Sequence, residues 1–294
     1  MTAEAGVEPR QRQRGLSVEE LAAMPTVYRS DLFSGRRFLI SGGGSGMGRA
    51  TAFLVTRLGG EVIVCGRNED KLRNATDSIR SLLDRNVSYV AMSIRDPEQV
   101  TALIAAAEER MGGIDVLVNC AGGQFPQNAI DYAVKGWNAV IDTNLNGTWW
   151  MMQQVARHWQ RTARPGAIVN VIATFDRGIP QSAHTAAARA GVAYLSKSVA
   201  VEWAPLNIRV NCIAPGNTLT EGLDRYPADY LARFAQGNPM QRAGNAWDVA
   251  EAVAYLSAPS GNWITGALLH VNGGMHLWGT NWPLGRPEHF GSSG

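Results

Sequence analysis

The 294 residues are 45% hydrophobic and 18% charged, enough apolar material for one large α/β domain with a surplus at the ends. Twenty-seven basic against 25 acidic residues leave a formal charge of +2, which excludes the clustered basic face that nucleic acid needs. Cys65, Cys120 and Cys212 lie far apart within apolar stretches and have neither metal-ligand nor disulfide spacing, so buried thiols and no metal are expected. No apolar run approaches the ~18 residues of a membrane span. The polar start at Met1-Thr2-Ala3-Glu4 and the end at Ser292-Ser293-Gly294 carry no export or peroxisomal signal, so a cytoplasmic location without membrane partners is expected.

Residues 1–34 read as a polar extension draped over the domain or a neighbouring subunit. Ser17 and Glu20 have capping-box spacing ahead of Leu21-Ala22-Ala23-Met24, which predicts a short helix before Pro25. From Arg36 short apolar runs alternate with helical stretches. In chain order the predicted strands contain Phe38–Ile40, Val62–Cys65, Tyr89–Ala91, Val116–Val118, Ile168–Val171, Arg209–Ile213 and Leu268–Val271. The helices between them span Glu69–Leu83, Pro97–Met111, Gly136–Arg161, Ala186–Trp203 and Trp247–Ser257. Strict alternation implies right-handed crossovers and one Rossmann-type domain over 35–275, with a doubly wound parallel sheet of seven strands. The Trp-, Gly- and Pro-rich tail, 276–294, is expected on a surface.

Ser41-Gly42-Gly43-Gly44-Ser45-Gly46-Met47-Gly48 follows the first strand and opens an apolar helix. Glycines allow a tight turn and close approach of the backbone to a diphosphate, which then sits on the helix N-terminus. Ser41, Gly42, Gly44, Ser45, Gly46, Met47 and Gly48 are therefore candidate dinucleotide contacts. The end of the second strand reads Cys65-Gly66-Arg67-Asn68, with no acid before Glu69. An acid there would bind the ribose hydroxyls of NAD, whereas an arginine accommodates a 2′-phosphate, so Arg67, with Asn68, predicts NADPH.

Further segments carry a resemblance: Asn119-Cys120-Ala121-Gly122, Asn144-Leu145-Asn146-Gly147, Ile208-Arg209-Val210-Asn211, Ala214-Pro215-Gly216 and Val271-Asn272-Gly273-Gly274. With the glycine turn they resemble the short-chain dehydrogenase/reductase family over about 240 residues. The resemblance implies that Ser93, Ile94, Asn119, Ala121, Gly122, Pro215, Gly216 and Thr218 also border the cofactor. It further implies that the segment from Asn217 to about Met240 forms a substrate lid.

The catalytic group departs from the family pattern. The usual set is Ser, then Tyr-x-x-x-Lys, with an Asn. Here His184-Thr185-Ala186-Ala187-Ala188-Arg189-Ala190-Gly191 puts Thr185 at the tyrosine position and Arg189 at the lysine position, and Ala173 falls at the serine position. A threonine hydroxyl is far too weak an acid to replace a tuned phenol. Tyr194 lies more than two helical turns beyond Thr185, where core packing is expected. Gly122-Gly123-Gln124-Phe125, Lys135-Gly136-Trp137, Thr143–Thr148 and His184–Val192 resemble, within the family, the enoyl-thioester reductases of the trans-2-enoyl-CoA and 2,4-dienoyl-CoA kinds.

That likeness implies NADPH-dependent reduction of a conjugated C=C bond in an acyl thioester, with an acyl-CoA as the small-molecule partner. Hydride goes to carbon, and charge develops on the thioester oxygen as an enolate that needs hydrogen-bond donors. Asn146, Thr185 and His184 are the candidate donors. Asn144 shares the asparagine segment, and Arg189 is assigned to the nicotinamide ribose. Two other readings stay open: a carbonyl or hydroxyl oxidoreductase with an improvised acid such as His184, and a catalytically silent NADPH-binding protein. Relatives pair the helices corresponding to Gly136–Arg161 and Ala186–Trp203, which implies a homodimer or homotetramer.

Overall fold

Phe38, Leu39 and Ile40 stand in a row, and the computed structural model buries all three completely, as only a strand covered on both faces allows. The structure describes residues 15–223, 226, 230–231, 233–277, 283, 287 and 290. Within β1 (Arg37–Ser41), Phe38 and Ile40 join the core beneath α2 (Gly46–Arg57) and the late helix over Ala246–Ser257. Leu39 points the other way, into the core formed with α4 (Pro97–Met111) and α6 (Gly147–Thr162). The period of two in a strand thus feeds two separate layers.

The sheet has seven strands, all parallel, as expected. Its order is β3 (Val87–Ala91), β2 (Glu61–Gly66), β1, β4 (Val116–Asn119), β5 (Gly166–Val171), β6 (Ile208–Pro215) and β9 (Leu268–Val271). A short parallel pair, β7 (Thr218–Leu219) with β8 (Gly244–Asn245), stands apart from it. Strand order reverses between β1 and β4, and a crevice opens there at the carboxyl ends of the strands.

Helix starts follow their caps. The Asn68 side chain accepts from Lys71 N–H at the head of α3 (Glu69–Leu83), and Asp96 accepts from Glu98 and Gln99 N–H before Pro97 opens α4. Asn245 and Asp248 form a capping box for α8, the Ala246–Ser257 helix. The helix expected over Gly136–Arg161 differs. It runs as α5 (Val134–Ile141), a π-helical turn over Asp142–Asn146, and then α6. Helix α7 (Ala183–Trp203) begins three residues before the expected start.

The Ser17–Glu20 capping box forms and opens α1 (Val18–Ala23). The chain from Gly15 to Arg36 lies on α2 and α8 of its own domain. Trp247 Nε1 donates to Pro25 O, the Tyr28 hydroxyl to Glu251 O, and Arg57 to Met24 O. Leu21 and Phe33 of this segment are buried in the core they share with α2 and α8. Residues 1–14 and most of the tail from 278 lie outside the described residues.

A chain of buried side chains crosses the centre of the sheet. Ser41 donates to Asn119, Asn119 to Asn170, Asn170 to Ser196, and Ser196 to Val192 O on α7. Each member is satisfied, so the network fixes α7 against the strands rather than weakening the core. Among the described residues, no helix is long and apolar enough to cross a membrane, and no group of three or more His, Cys, Asp or Glu could hold a metal ion.

Candidate active site

Two adjoining clefts open over the carboxyl ends of β1, β2, β4, β5 and β6. The first, about 470 Å³, is lined by Gly42, Gly44 and Ser45 from the glycine turn, Arg67 and Asn68 after β2, Ser93 and Ile94 after β3, and Ala121 and Gly122 after β4. Gly42 has φ +72° and lies so close to β4 that a Cβ would stand 2.8 Å from the Ala121 backbone. A Cβ on Gly48 would stand 2.3 Å from the Gly42 carbonyl oxygen. These two positions require glycine, and the turn they make leaves the start of α2 facing the cleft.

Lys71 and Arg95 join Arg67 in the same lining, and no carboxylate does. Sequence reasoning found Arg67 and missed the other two, although Lys71 lies one helical turn beyond the Asn68 cap. Asn68 Oδ1 is committed to capping α3. Ser41 and Asn119 belong to the cross-sheet chain, and Ser41 Oγ also accepts the Ala121 N–H.

The second cleft, about 390 Å³, shares Gly122 with the first. Met47, Asn144, Ala173, Thr185, Arg189, Pro215, Gly216 and Thr218 all line it. Arg189 is only 7% exposed, yet among the described residues its guanidinium has no hydrogen-bond acceptor and no carboxylate partner. Burial pushes its pKa down to about 10, so it is cationic at neutral pH. The guanidinium lies where a side chain on residue 122 would be: a Cβ on Gly122 would stand 2.0 Å from Nη2. Thr185 Oγ, one turn earlier on α7, is likewise buried with no partner among the described residues. A cation with no protein acceptor facing the cleft, and a buried hydroxyl left unsatisfied beside it, suit polar groups from outside the chain.

The two asparagines of the Asn144-Leu145-Asn146 segment have different surroundings. Asn144 is buried, its amide both donating to Gly123 O and accepting from Gly123 N–H, each at 2.9 Å, so it fixes the loop after β4. Asn146 donates to Asp142 within the π-helical turn and does not line the cleft. His184 does not line it either. Its ring is stacked on Tyr132 with Phe125 at its edge, its Nδ1 accepts the Thr185 N–H, and burial lowers its pKa. The i and i+1 positions of a helix face different ways, and Thr185 took the cleft side.

Tyr194, expected in the core, is instead 74% exposed on the outer face of α7. Thr174 is held between Pro215 O and the Asn272 amide. The opposite wall of the cleft comes from Leu223, Tyr226, Tyr230, Phe234 and Met275, with Gln124 Nε2 donating to the Tyr226 hydroxyl. These apolar and phenolic residues were missed individually because they follow no periodic pattern. Residues 224–225, 227–229 and 232 of the expected lid lie outside the described residues. Cys65 and Cys212 are buried as expected, whereas Cys120 is half-buried and lines the second cleft; desolvation raises the thiols of Cys65, Cys120 and Cys212 to about 12, 12 and 11.

A doubly wound sheet with this glycine turn and a cation-bearing crevice at the strand reversal is a dinucleotide-binding arrangement. The family model described as enoyl-(acyl carrier protein) reductase matches residues 42–276, and the chain belongs to the short-chain dehydrogenase/reductase family. It is 33% identical over 263 residues to a peroxisomal 2,4-dienoyl-CoA reductase of Pongo abelii, covering 87% of this chain and 89% of that protein. It is 31% identical over 268 residues to a glucose 1-dehydrogenase of Gluconobacter oxydans, covering 88% and 99%. A crystal structure from Agrobacterium tumefaciens, described as a 2-deoxy-D-gluconate 3-dehydrogenase with bound NADP, superimposes with a TM-score of 0.78 at 29% identity, covering 85% of this chain and all of that one.

Proposed function

We propose that this protein reduces the conjugated C=C bond of an enoyl- or dienoyl-thioester, an acyl-CoA, with NADPH. The observation that carries the reading is the pair on α7: Arg189 stands where the family has lysine, and beside it the tyrosine position holds a hydroxyl too weak to protonate an alkoxide. When bound, the reduced nicotinamide supplies hydride. Arg189 is assigned to hold the ribose beside it and to place positive charge near the reacting atoms. The Thr185 O–H donates to the thioester oxygen as it becomes an enolate, and Asn144 keeps the Gly123 loop in place along the cleft. The proton added at Cα comes from solvent. Residues of the glycine turn, with Ser93, Ile94, Pro215, Gly216 and Thr218, border the rest of the dinucleotide. A cytoplasmic homodimer or homotetramer completes the proposal.

Oxidation of NADPH against trans-2-enoyl-, 2,4-dienoyl- and 3-ketoacyl-CoA, with product analysis in deuterated water, tests it. The expected product carries one solvent deuterium at Cα. A hydroxyacyl product from the ketoacyl-CoA, with both unsaturated esters untouched, would refute it.

The first cleft bears on cofactor choice. Its rim holds Arg67, Lys71 and Arg95 and no carboxylate, which suits a 2′-phosphate. Arg67→Ala is expected to weaken NADPH by roughly 10- to 100-fold, the loss of a charged hydrogen bond of ~1.5–3 kcal/mol, and to leave NADH nearly unchanged. Equal affinity of the unmutated protein for both dinucleotides would overturn the preference.

A further inference from the structure

Glu221 follows β7 and reaches back to the start of α2. Its Oε2 accepts the Gly46 N–H at 2.9 Å, and its Oε1 pairs with the Arg49 guanidinium one turn further along that helix. Arg49 also donates to Leu16 O at 2.9 Å. Gly15 lies alongside, where a Cβ would make ordinary contact, at 3.4 Å, with the carboxylate carbon. Three segments distant in sequence therefore meet on one ion pair, whose side chains are only 16% and 25% exposed.

A carboxylate at this place stabilises the helix end but works against a bound diphosphate. The N-terminus of α2 is the positive end that favours a diphosphate, and an anion on Gly46 N–H occupies one of its free donors and opposes its field. A neutral amide could have pinned the loop without that effect. Arg49 is close enough to cancel the charge, and the Leu16 carbonyl orients it. Glu221 itself lines neither cleft, whereas its neighbours Thr220 and Gly222 line the second.

We propose that Glu221 and Arg49 form a positioning pair for the cofactor, with the N-terminal segment as its third member. The carboxylate pins the Thr218–Leu223 segment to the helix that takes the diphosphate, and the guanidinium restores positive potential at that helix end. The inference rests on the cofactor reading above.

The charges predict an order of effects. Arg49→Met leaves an unpaired carboxylate at the start of α2, so it should do more damage than Glu221→Ala, and removing both should relieve it. NADPH titration of the full chain, followed by quenching of tryptophan fluorescence, is expected to show Arg49→Met weaker by about 10- to 30-fold and Glu221→Ala by about threefold. The double variant should lie close to Glu221→Ala, and the Arg49→Met deficit should shrink as salt is raised. Arg49→Met and the double variant equally weak, with losses that follow melting temperature and ignore salt, would overturn the pair. A parent chain that does not bind NADPH brings down the cofactor reading and this inference with it. A parent that binds, with all the variants alike, brings down the pair alone.

Discussion

Arg189→Ala is expected to weaken NADPH by about 10- to 100-fold and to lower turnover with it, because each charged hydrogen bond lost is worth ~1.5–3 kcal/mol. The guanidinium is largely buried beside Gly122 with no acceptor among the described residues, so the free protein bears most of its desolvation with no protein partner to offset it. The free Arg189→Ala protein should therefore melt no lower than the parent, while its stabilisation by saturating NADPH should fall well below the parent's. Arg189→Lys should restore much of both affinity and turnover, since it is the family's own residue at this position. Burial lowers the Arg189 pKa to about 10, so affinity should stay level through neutral pH and decline as the pH rises towards that value. Unchanged affinity and turnover in Arg189→Ala would remove the arginine from the site.

Gly122→Ala should reproduce that loss with the arginine still in place. A Cβ at 122 would stand 2.0 Å from Arg189 Nη2 and 3.1 Å from Asn144 Oδ1, so the guanidinium has to leave its position. A displacement of about 1 Å at a catalytic group is enough for a loss on the order of 100-fold. The neighbouring Gly123→Ala is the control, because a Cβ there meets nothing within 4 Å. Titration and turnover of the two variants side by side decide the matter. Equal, near-parental behaviour of both would show that the guanidinium has room to move and that its placement is not what the site depends on.

The layered sheet was legible because its signals are local. Phe38–Ile40 and Val116–Val118 are apolar throughout, and Ser17 with Glu20 marks the start of α1. The glycine turn was legible for the same reason, since strand, turn and helix are contiguous. Thr185 and Arg189 could be read together because four residues bring side chains to one helix face. What escaped depends on contacts between distant segments. Nothing near His184 in sequence announces Tyr132 and Phe125 around its ring, and nothing near Tyr194 shows that its helix face is uncovered. Arg95 joins Arg67 only once β2 and the loop after β3 are folded side by side, whereas Lys71, four residues after Arg67, is a local signal that was passed over.

The π-helical turn at Asp142–Asn146 has a consequence for how this helix tolerates change. An α-helix advances about 100° per residue, so the one residue added by a wider turn shifts the phase of everything before it against everything after. Helix α5 accordingly faces α7, and α6, continuous with it, faces α4. One rod serves two partners that a regular helix of the same length would present on a single stripe. Point substitutions along it leave that phase intact. Deletion of a single residue within the turn would restore uniform winding, rotate α5 away from α7, and take Asn144 off the Gly123 loop.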